Sequence, residues 1–151
     1  MDPIGASDSW EWHGYENSWV EIDGHQMQSV SGGAHWGGGI WISALDHACV
    51  GQLILNNGSW NGRQIISQEW MNACRTPCKL NESYGYLWWL NTNHTLFPSA
   101  PASSVFAIGV GANVIWIESE NDMVVVARWL QKEAVDGFIA KVLKAIGASA
   151  T

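Results

Sequence analysis

A run of five apolar residues, Met123 to Ala127, limits the possible folds of this chain more than any other segment. A strand that alternates apolar and polar residues can lie on a surface, whereas a continuously apolar strand is typically buried on both faces. The polar segment Ser119 to Asp122 precedes the run and is typical of a turn. We therefore predict an antiparallel pair made of strands 113–118 and 123–130, with the first half of the second strand buried on both sides.

Other segments extend this pair into a meander with flanking helices. Residues 84–90 are rich in aromatic side chains and residues 105–108 are apolar, and both patterns predict strands. A helix is predicted over 133–146, with Gly147 as its end. Its apolar side chains recur at helical spacing, at Phe138, Ile139, Val142, Leu143 and Ile146.

Two more helices are predicted before the meander. In the first, 43–57, an apolar stripe runs through Ile42, Leu45, Cys49 and Leu53, and Asn57-Gly58 supplies the stop. In the second, 68–75, Ser67 is the N-cap and Pro77 closes the helix. The order of elements predicts an α+β fold, and we expect residues 1–151 to form a single domain.

Residues 1–36 show no sustained period and predict loops with short strands. Asp23-Gly24 is typical of a tight turn, so we expect a hairpin with strands at 19–22 and 27–30. Glycines are dense at 32–33 and 37–39, but no lysine or arginine stands nearby and no G-K-[ST] follows. A phosphate-binding loop is therefore not predicted.

Composition excludes several classes of function. The formal charge of -7, with seven scattered basic residues, argues against nucleic-acid binding. No apolar run reaches membrane-spanning length, and residues 1–4 lack the pattern of a signal peptide. We therefore expect no nucleic-acid or membrane partner, while the compartment stays unassigned.

The inventory of reactive side chains predicts no self-contained active site. The five histidines form no H-x-x-x-H and the three cysteines no C-x-x-C, so we expect no metal, no cofactor and free, buried thiols. The G-x-S-x-G turn of α/β-hydrolases is absent. The eleven tryptophans fit either a core of large rings or an aromatic platform for flat ligands.

Taken together, several segments resemble class C β-lactamase-like proteins, a family of penicillin-recognising serine hydrolases that also includes DD-peptidases, esterases and amide hydrolases. Each segment alone is a weak match, but they occur in the family's order over nearly the whole chain. They are D-P-I-G-A-S-D at 2–8, S-V-S-G-G at 29–33, I-S-A-L-D at 42–46, G-Q-L-I-L-N-N-G at 51–58, W-N-G-R-Q-I-I-S at 60–67, Y-G-Y-L-W-W at 84–89, F-A-I-G-V-G-A-N at 106–113 and N-D-M-V-V-V at 121–126. The resemblance implies the C-terminal portion of the β-lactamase/transpeptidase-like fold, with antiparallel strands and flanking helices.

The resemblance also implies one wall of a substrate site. The family places K-T-G or a variant on a strand that supplies a backbone N–H to the oxyanion hole. That element falls at Ala107-Ile108-Gly109, so the amide would belong to Val110, with Gly111 and Asn113 following. Ala107 replaces the lysine, which leaves a β-lactam carboxylate without its usual cation.

The family's nucleophile and base, S-x-x-K, have no counterpart, because no lysine of this sequence has a serine three positions before it. Tyr15-Glu16-Asn17 and Ser59-Trp60-Asn61 match the letters of the family's Y-x-N or S-x-N motif, and we interpret both as chance matches. We therefore expect a fragment or remnant of a serine hydrolase that is inactive alone.

Two alternatives stay open. The chain could be a Trp-rich module for a small ligand, or half of a split hydrolase completed by an N-terminal partner chain. Since a fragment of a fold exposes apolar faces and sheet edges, we also expect a homo-oligomer.

Overall fold

The computed structural model describes residues 1–29 and 38–147. Two compact units emerge, here called the ribbon unit (Ser7–Ser43) and the sheet unit (Met1–Ala6 and Ala44–Thr151). The resembling segment 29–33, apart from Ser29, lies outside the described residues, as does the glycine pair at 32–33 and the end of the predicted return strand at Val30.

The ribbon unit contains two antiparallel pairs of short strands. Strand β1 (Glu11–Gly14) pairs with β4 (Gly38–Trp41), and β2 (Trp19–Ile22) pairs with β3 (His25–Gln28). The turn between β2 and β3 is Asp23-Gly24, with φ of 52° and 78°. Asparagine, aspartate and glycine are the residues that adopt positive φ most readily, so the predicted hairpin and its turn are confirmed. The return strand predicted at 27–30 was displaced by two residues, because β3 pairs directly after the turn, from His25.

The sheet unit follows the predicted order of helices and strands. Its elements are α1 (Ala44–Leu55), β5 (Ser59–Trp60), β6 (Arg63–Gln64), α2 (Gln68–Cys74), β7 (Trp89–Leu90), β8 (Val105–Gly109), β9 (Asn113–Glu118), β10 (Met123–Ala127) and α3 (Val135–Ala145). Strands β7 to β10 form one antiparallel sheet in the order β10-β9-β8-β7.

This sheet is covered on both faces. On one face Phe106 and Trp116 pack with Ile139 and Leu143 of α3. On the other face a second buried cluster joins sheet residues to the helices that precede them: Ile54, Met71, Leu90, Val105, Ile115 and Ile117. Alternate residues of β10 contribute to the two clusters, Met123 and Val125 to the first and Val124 and Val126 to the second. The run of apolar residues is thus explained by packing on both faces.

The end of α1 shows how the sequence fixes a boundary. Asn57 takes φ 51°, and the N–H groups of Asn57 and Gly58 donate to the carbonyls of Ile54 and Leu53 at 3.1 and 2.8 Å. This is a Schellman arrangement, in which a left-handed residue satisfies the last carbonyls of a helix. Arg75 reinforces it, because its guanidinium donates to the Ile54 carbonyl at 2.8 Å and to the Asn57 side chain. The predicted stop is therefore confirmed.

Three predictions for elements of the sheet unit were wrong. Residues 84–90 do not form one strand: Leu87 has φ 63°, Gly85 and Trp88 exchange backbone hydrogen bonds, and only Trp89–Leu90 joins the sheet. The strand predicted over 123–130 ends at Ala127, and Trp129 has φ 56°. The helix predicted over 133–146 begins only at Val135, because residues 132–134 form a 3-10 turn before it.

The predicted apolar stripe of α1 was wrong at Leu45, which is 80% exposed. Instead Gly51 faces the sheet, where an added Cβ would stand 2.5 Å from a methyl of Val124. A helix turns by about 100° per residue, so Leu45 points about 120° away from that face. The close approach of α1 to β10 therefore depends on a glycine, which a hydrophobic stripe does not reveal.

Candidate functional site

The six residues assigned to the substrate wall lie at one end of the sheet. Ala107, Ile108 and Gly109 end β8, Val110 and Gly111 form the turn with Ala112, and Asn113 begins β9. Gly109 and Asn113 are register partners, so the turn between them has three residues. The sequence therefore placed all six in one local structure, and their role stays a prediction.

Side chains lock this turn. The Asn113 amide donates to the Val110 carbonyl at 2.7 Å, and its Oδ1 accepts from the Trp129 N–H at 3.4 Å. Gly111 has φ 79°, and a Cβ there would stand 2.7 Å from the Trp129 ring. The turn is held by Asn113 on one side and by Trp129 on the other, and Gly111 is the residue that fits between them.

The backbone N–H of Val110 is available to a ligand. Val110 is 78% exposed, and no atom of the described chain accepts a hydrogen bond from its N–H. The β8 strand emerges from the core toward this point, from fully buried Phe106 to exposed Gly109. An exposed, unpaired amide at the end of a rigid strand is a group that can stabilise an oxyanion.

The side chains next to this amide carry no charge. Ala107 packs on the α1 side of the sheet and Ile108 on the α3 side, because successive residues of a strand point to opposite faces. The position that aligns with the family's lysine therefore presents a methyl group that packs against the apolar cluster around Ile54 and Met71.

Hydroxyl groups of the sheet unit are engaged in structural contacts. Ser67 caps α2, Ser99 donates to Asp136 at 2.9 Å, and Ser104 accepts from the indole of Trp116 at 3.0 Å. Within residues 44–147, no serine is hydrogen-bonded to an imidazole or an ammonium group. No serine in that range is thus paired with a base that could activate it.

Metal ligands do not converge in the described ranges, 1–29 and 38–147, where no three His, Cys, Asp or Glu side chains form a cluster. No helix in those ranges is long and apolar enough to cross a membrane. The cysteines are free there, and the prediction of buried thiols is confirmed for Cys74. Cys49 is only half-buried, and the prediction was wrong for Cys78, which is exposed because it lies in the loop after α2.

One polar contact connects α1 to the end of β10. A terminal guanidinium nitrogen of Arg128 lies 3.0 Å from Nδ1 of His47. Burial, and then the Arg128 charge, lower the pKa of His47 below its usual 6.5, while the Asp46 carboxylate opposes this change. The folded chain therefore favours the neutral imidazole, whose Nδ1 accepts from Arg128.

A pH dependence follows from this contact. Because the pKa of His47 is lower in the folded chain, the unfolded chain binds more protons as the pH falls below 6.5. The contribution of His47 is fully present above that value and is lost on acidification. We expect the thermal midpoint to fall less between about pH 7.5 and pH 5.5 in His47→Asn, which keeps an acceptor but does not titrate. Equal falls in both proteins, measured by circular dichroism, would contradict the assignment.

The sheet, its helices and the exposed turn can be compared with known proteins. No protein-family model matches this chain, and no curated protein matches it. Among solved structures, a Bacillus anthracis protein assigned as a 6-aminohexanoate-dimer hydrolase is similar, with a TM-score of 0.55 and 20% identity over 74% of this chain. The chain shares part of the β-lactamase fold.

This likeness to a hydrolase with the β-lactamase fold confirms the predicted fold class, an α+β arrangement of antiparallel strands and helices. The match covers 31% of the hydrolase, so this chain spans about a third of the length of that structure. At this level of identity the likeness concerns the fold. It assigns neither an activity nor a substrate to this chain.

Proposed function

We propose that this chain is the sheet-bearing, C-terminal part of a β-lactamase-related serine hydrolase, and that the 151-residue chain alone does not catalyse hydrolysis. The observation that carries the proposal is the unpaired N–H of the exposed residue Val110 at the end of β8, in a chain that shares part of the hydrolase fold. The contacts of Asn113 and Trp129 hold the turn in place, as a preorganised oxyanion donor requires.

The proposed role of the turn is to bind the carbonyl oxygen of a substrate. As a nucleophile attacks an ester or amide carbon, negative charge develops on that oxygen, and the Val110 N–H would donate to it. Ala107 offers no cation to a substrate carboxylate, so we expect uncharged esters or amides to suit this wall better than penicillins.

The same wall cannot perform the reaction without a nucleophile. Acyl transfer in this family begins with a serine activated by a lysine one helical turn away, and this sequence contains no such pair. An oxyanion donor lowers a barrier only when an attacking group creates the charge. The proposal of inactivity rests on this gap.

An esterase assay tests the inactivity. We expect the folded chain to hydrolyse p-nitrophenyl acetate no faster than the same chain unfolded in urea, after correction for the effect of urea on the blank. Turnover that appears only in the folded chain would contradict the proposal, because it would require a nucleophile organised by the fold.

We further propose that the chain self-associates. The outer edge of β10 pairs with no other strand of the described chain, and Val110 and Trp129 at one end of the sheet are each more than three-quarters exposed. Open edges and exposed apolar side chains favour association. We expect light scattering after size exclusion to give at least twice the chain mass of 16.6 kDa. A stable monomer at micromolar concentration would contradict this.

A complementary hydrolase half is the alternative partner. It would supply S-x-x-K and could pair with the free edge of β10. Mixing distinguishes the two cases: a split enzyme gains esterase activity when a chain bearing S-x-x-K is added, whereas a remnant stays inactive.

A further inference from the structure

A second concave surface lies beyond the end of α2, and its lining includes none of the residues of the β8 turn. Its volume is about 640 Å³, which is within the range of small-molecule sites. The lining comprises Ala73, Thr76, Pro77, Cys78, Lys79, Tyr84, Gly85, Tyr86 and Leu87. Most of these residues are apolar or aromatic, as in cavities that bind organic ligands.

The wall of this cleft is fixed by backbone contacts. The Cys78 N–H donates to the Tyr84 carbonyl at 2.8 Å, and Gly85 donates to Trp88 at 2.9 Å. An added Cβ at Gly85 would stand 2.0 Å from the Cys74 carbonyl oxygen, so the turn lies directly against the end of α2. The cleft is therefore formed before any ligand arrives, which lowers the cost of binding.

Aromatic rings continue the surface outward. Trp70 of α2 stacks on Tyr86 with ring centroids 5.1 Å apart and planes at 23°. Both remain more than half exposed, at 51% and 62%. Each ring supports the other in place, so a flat guest can add to the stack with little loss of side-chain entropy.

The charge of the cleft lining favours an anionic ligand. Lys79 is the one charged residue in the lining, and no carboxylate of the described residues forms an ion pair with it. The Thr76 hydroxyl already donates to Asn72 at 2.9 Å, and the Cys78 thiol lies 3.5 Å from the Asn81 carbonyl. Lys79 is therefore the one positive charge of the lining that remains available to an anion.

We propose that this cleft binds a small organic anion with a flat apolar body, the chemical class of an aromatic carboxylate. The rings and Leu87 contact the apolar body, and the Lys79 ammonium pairs with the carboxylate. This site does not depend on the proposed hydrolase role, because it shares no residue with the β8 turn.

The test uses 2-naphthoate as the probe and Cys78 as the reporter. Cys78 is exposed and lines the cleft, whereas Cys49 is half-buried in α1 and serves as the internal reference. Alkylation by iodoacetamide is followed at each cysteine by peptide mass mapping. We expect saturating 2-naphthoate to slow alkylation of Cys78 several-fold and to leave Cys49 unchanged, since the bound ring covers the thiol.

Two comparisons isolate the role of charge. Lys79→Gln should weaken 2-naphthoate roughly two- to fivefold, the effect of losing one solvent-exposed ion pair, while Lys132→Gln on the exposed 3-10 turn should not. The neutral isostere 2-naphthamide should bind the native chain about as weakly as 2-naphthoate binds Lys79→Gln.

Three results would overturn the proposal. The first is unchanged Cys78 alkylation up to the solubility limit of 2-naphthoate. The second is equal protection of Cys78 by 2-naphthamide, which would mean that the surface binds apolar rings without selecting a charge. The third is protection that grows with protein concentration and not with the probe, which would mean that a second copy of the chain covers the cleft.

Discussion

Replacing Asn91 by Asp is expected to lower the free energy of unfolding by at least about 3 kcal/mol. Asn91 is fully buried, and its amide nitrogen donates to the carbonyls of Phe97, Ala100 and Pro101 at 2.9–3.1 Å. Its Oδ1 accepts from the N–H groups of Leu96 and Phe97. One side chain thus closes the loop between β7 and β8.

The aspartate is nearly the same shape but turns a donor into an acceptor. It would face three carbonyl oxygens, either as a buried charge or, when protonated, with a single proton for all three. For a chain of this size we expect the thermal midpoint to fall by roughly 6–12 °C. Asn56→Asp is the control, since Asn56 is exposed and uses only its oxygen, accepting from Gln52. A small, equal loss in both variants would contradict this reading of the loop.

Gly58→Ala is expected to cost about 3 kcal/mol or more, for two separable reasons. Gly58 has φ 80°, a conformation that is strained for alanine, and its added Cβ would stand 2.3 Å from the Ile66 carbonyl oxygen. The backbone that carries this oxygen is held close to Gly58, because the Ile66 N–H donates a hydrogen bond to the Gly58 carbonyl at 3.0 Å. The contact cannot be relieved by a rotamer change.

Gly62 supplies a matched control in the neighbouring turn. It has φ 78°, but an added Cβ would meet nothing within 4 Å. Gly62→Ala should therefore show only the conformational cost, roughly 1–2 kcal/mol. Urea unfolding of both variants gives the difference, which measures the clash. Equal losses would mean that the 58–66 connection yields readily and does not fix the end of α1.

Local signals in the sequence predicted the turns well. Asp23-Gly24 and Asn57-Gly58 both adopt positive φ, as their residue types favour. The apolar run of β10 predicted packing on both faces, and its residues contact both clusters of the sheet. Met123 to Val126 are only partly buried, because β10 is an edge strand. These features depend on a few adjacent residues, so a single sequence carries them.

Features that depend on distant contacts were not predictable in this way. The aromatic segment at 84–89 has strand propensity, yet it folds back because Gly85 fits against the end of α2 and Leu87 takes a positive φ. Tertiary packing overrides propensity at such places. The same turn builds the cleft with Lys79 and Cys78, neither of which forms part of any local motif.

The β8 turn is an intermediate case. Its residues could be placed from the resemblance of the F-A-I-G-V-G-A-N segment, and the structure brings all six together. The contacts that hold the turn could not be predicted from the sequence, because Trp129, which lies after β10, contacts Gly111 and Asn113. The sheet places residues that are 16 or more positions apart side by side, and such a pairing cannot be predicted from a single sequence.

The most direct measurement is the intact mass of the folded chain after incubation with an activated p-nitrophenyl ester and, separately, with a penicillin. We expect no acyl group on any serine in either case, because no serine is paired with an activating lysine in this sequence. Any acyl group is expected on an exposed amine or on the exposed Cys78 thiol, and it should also form in the unfolded chain. A single acyl group on one serine, absent when the chain is unfolded first, would contradict the proposal. It would mean that the fold organises a nucleophile of its own, and that this chain is an enzyme.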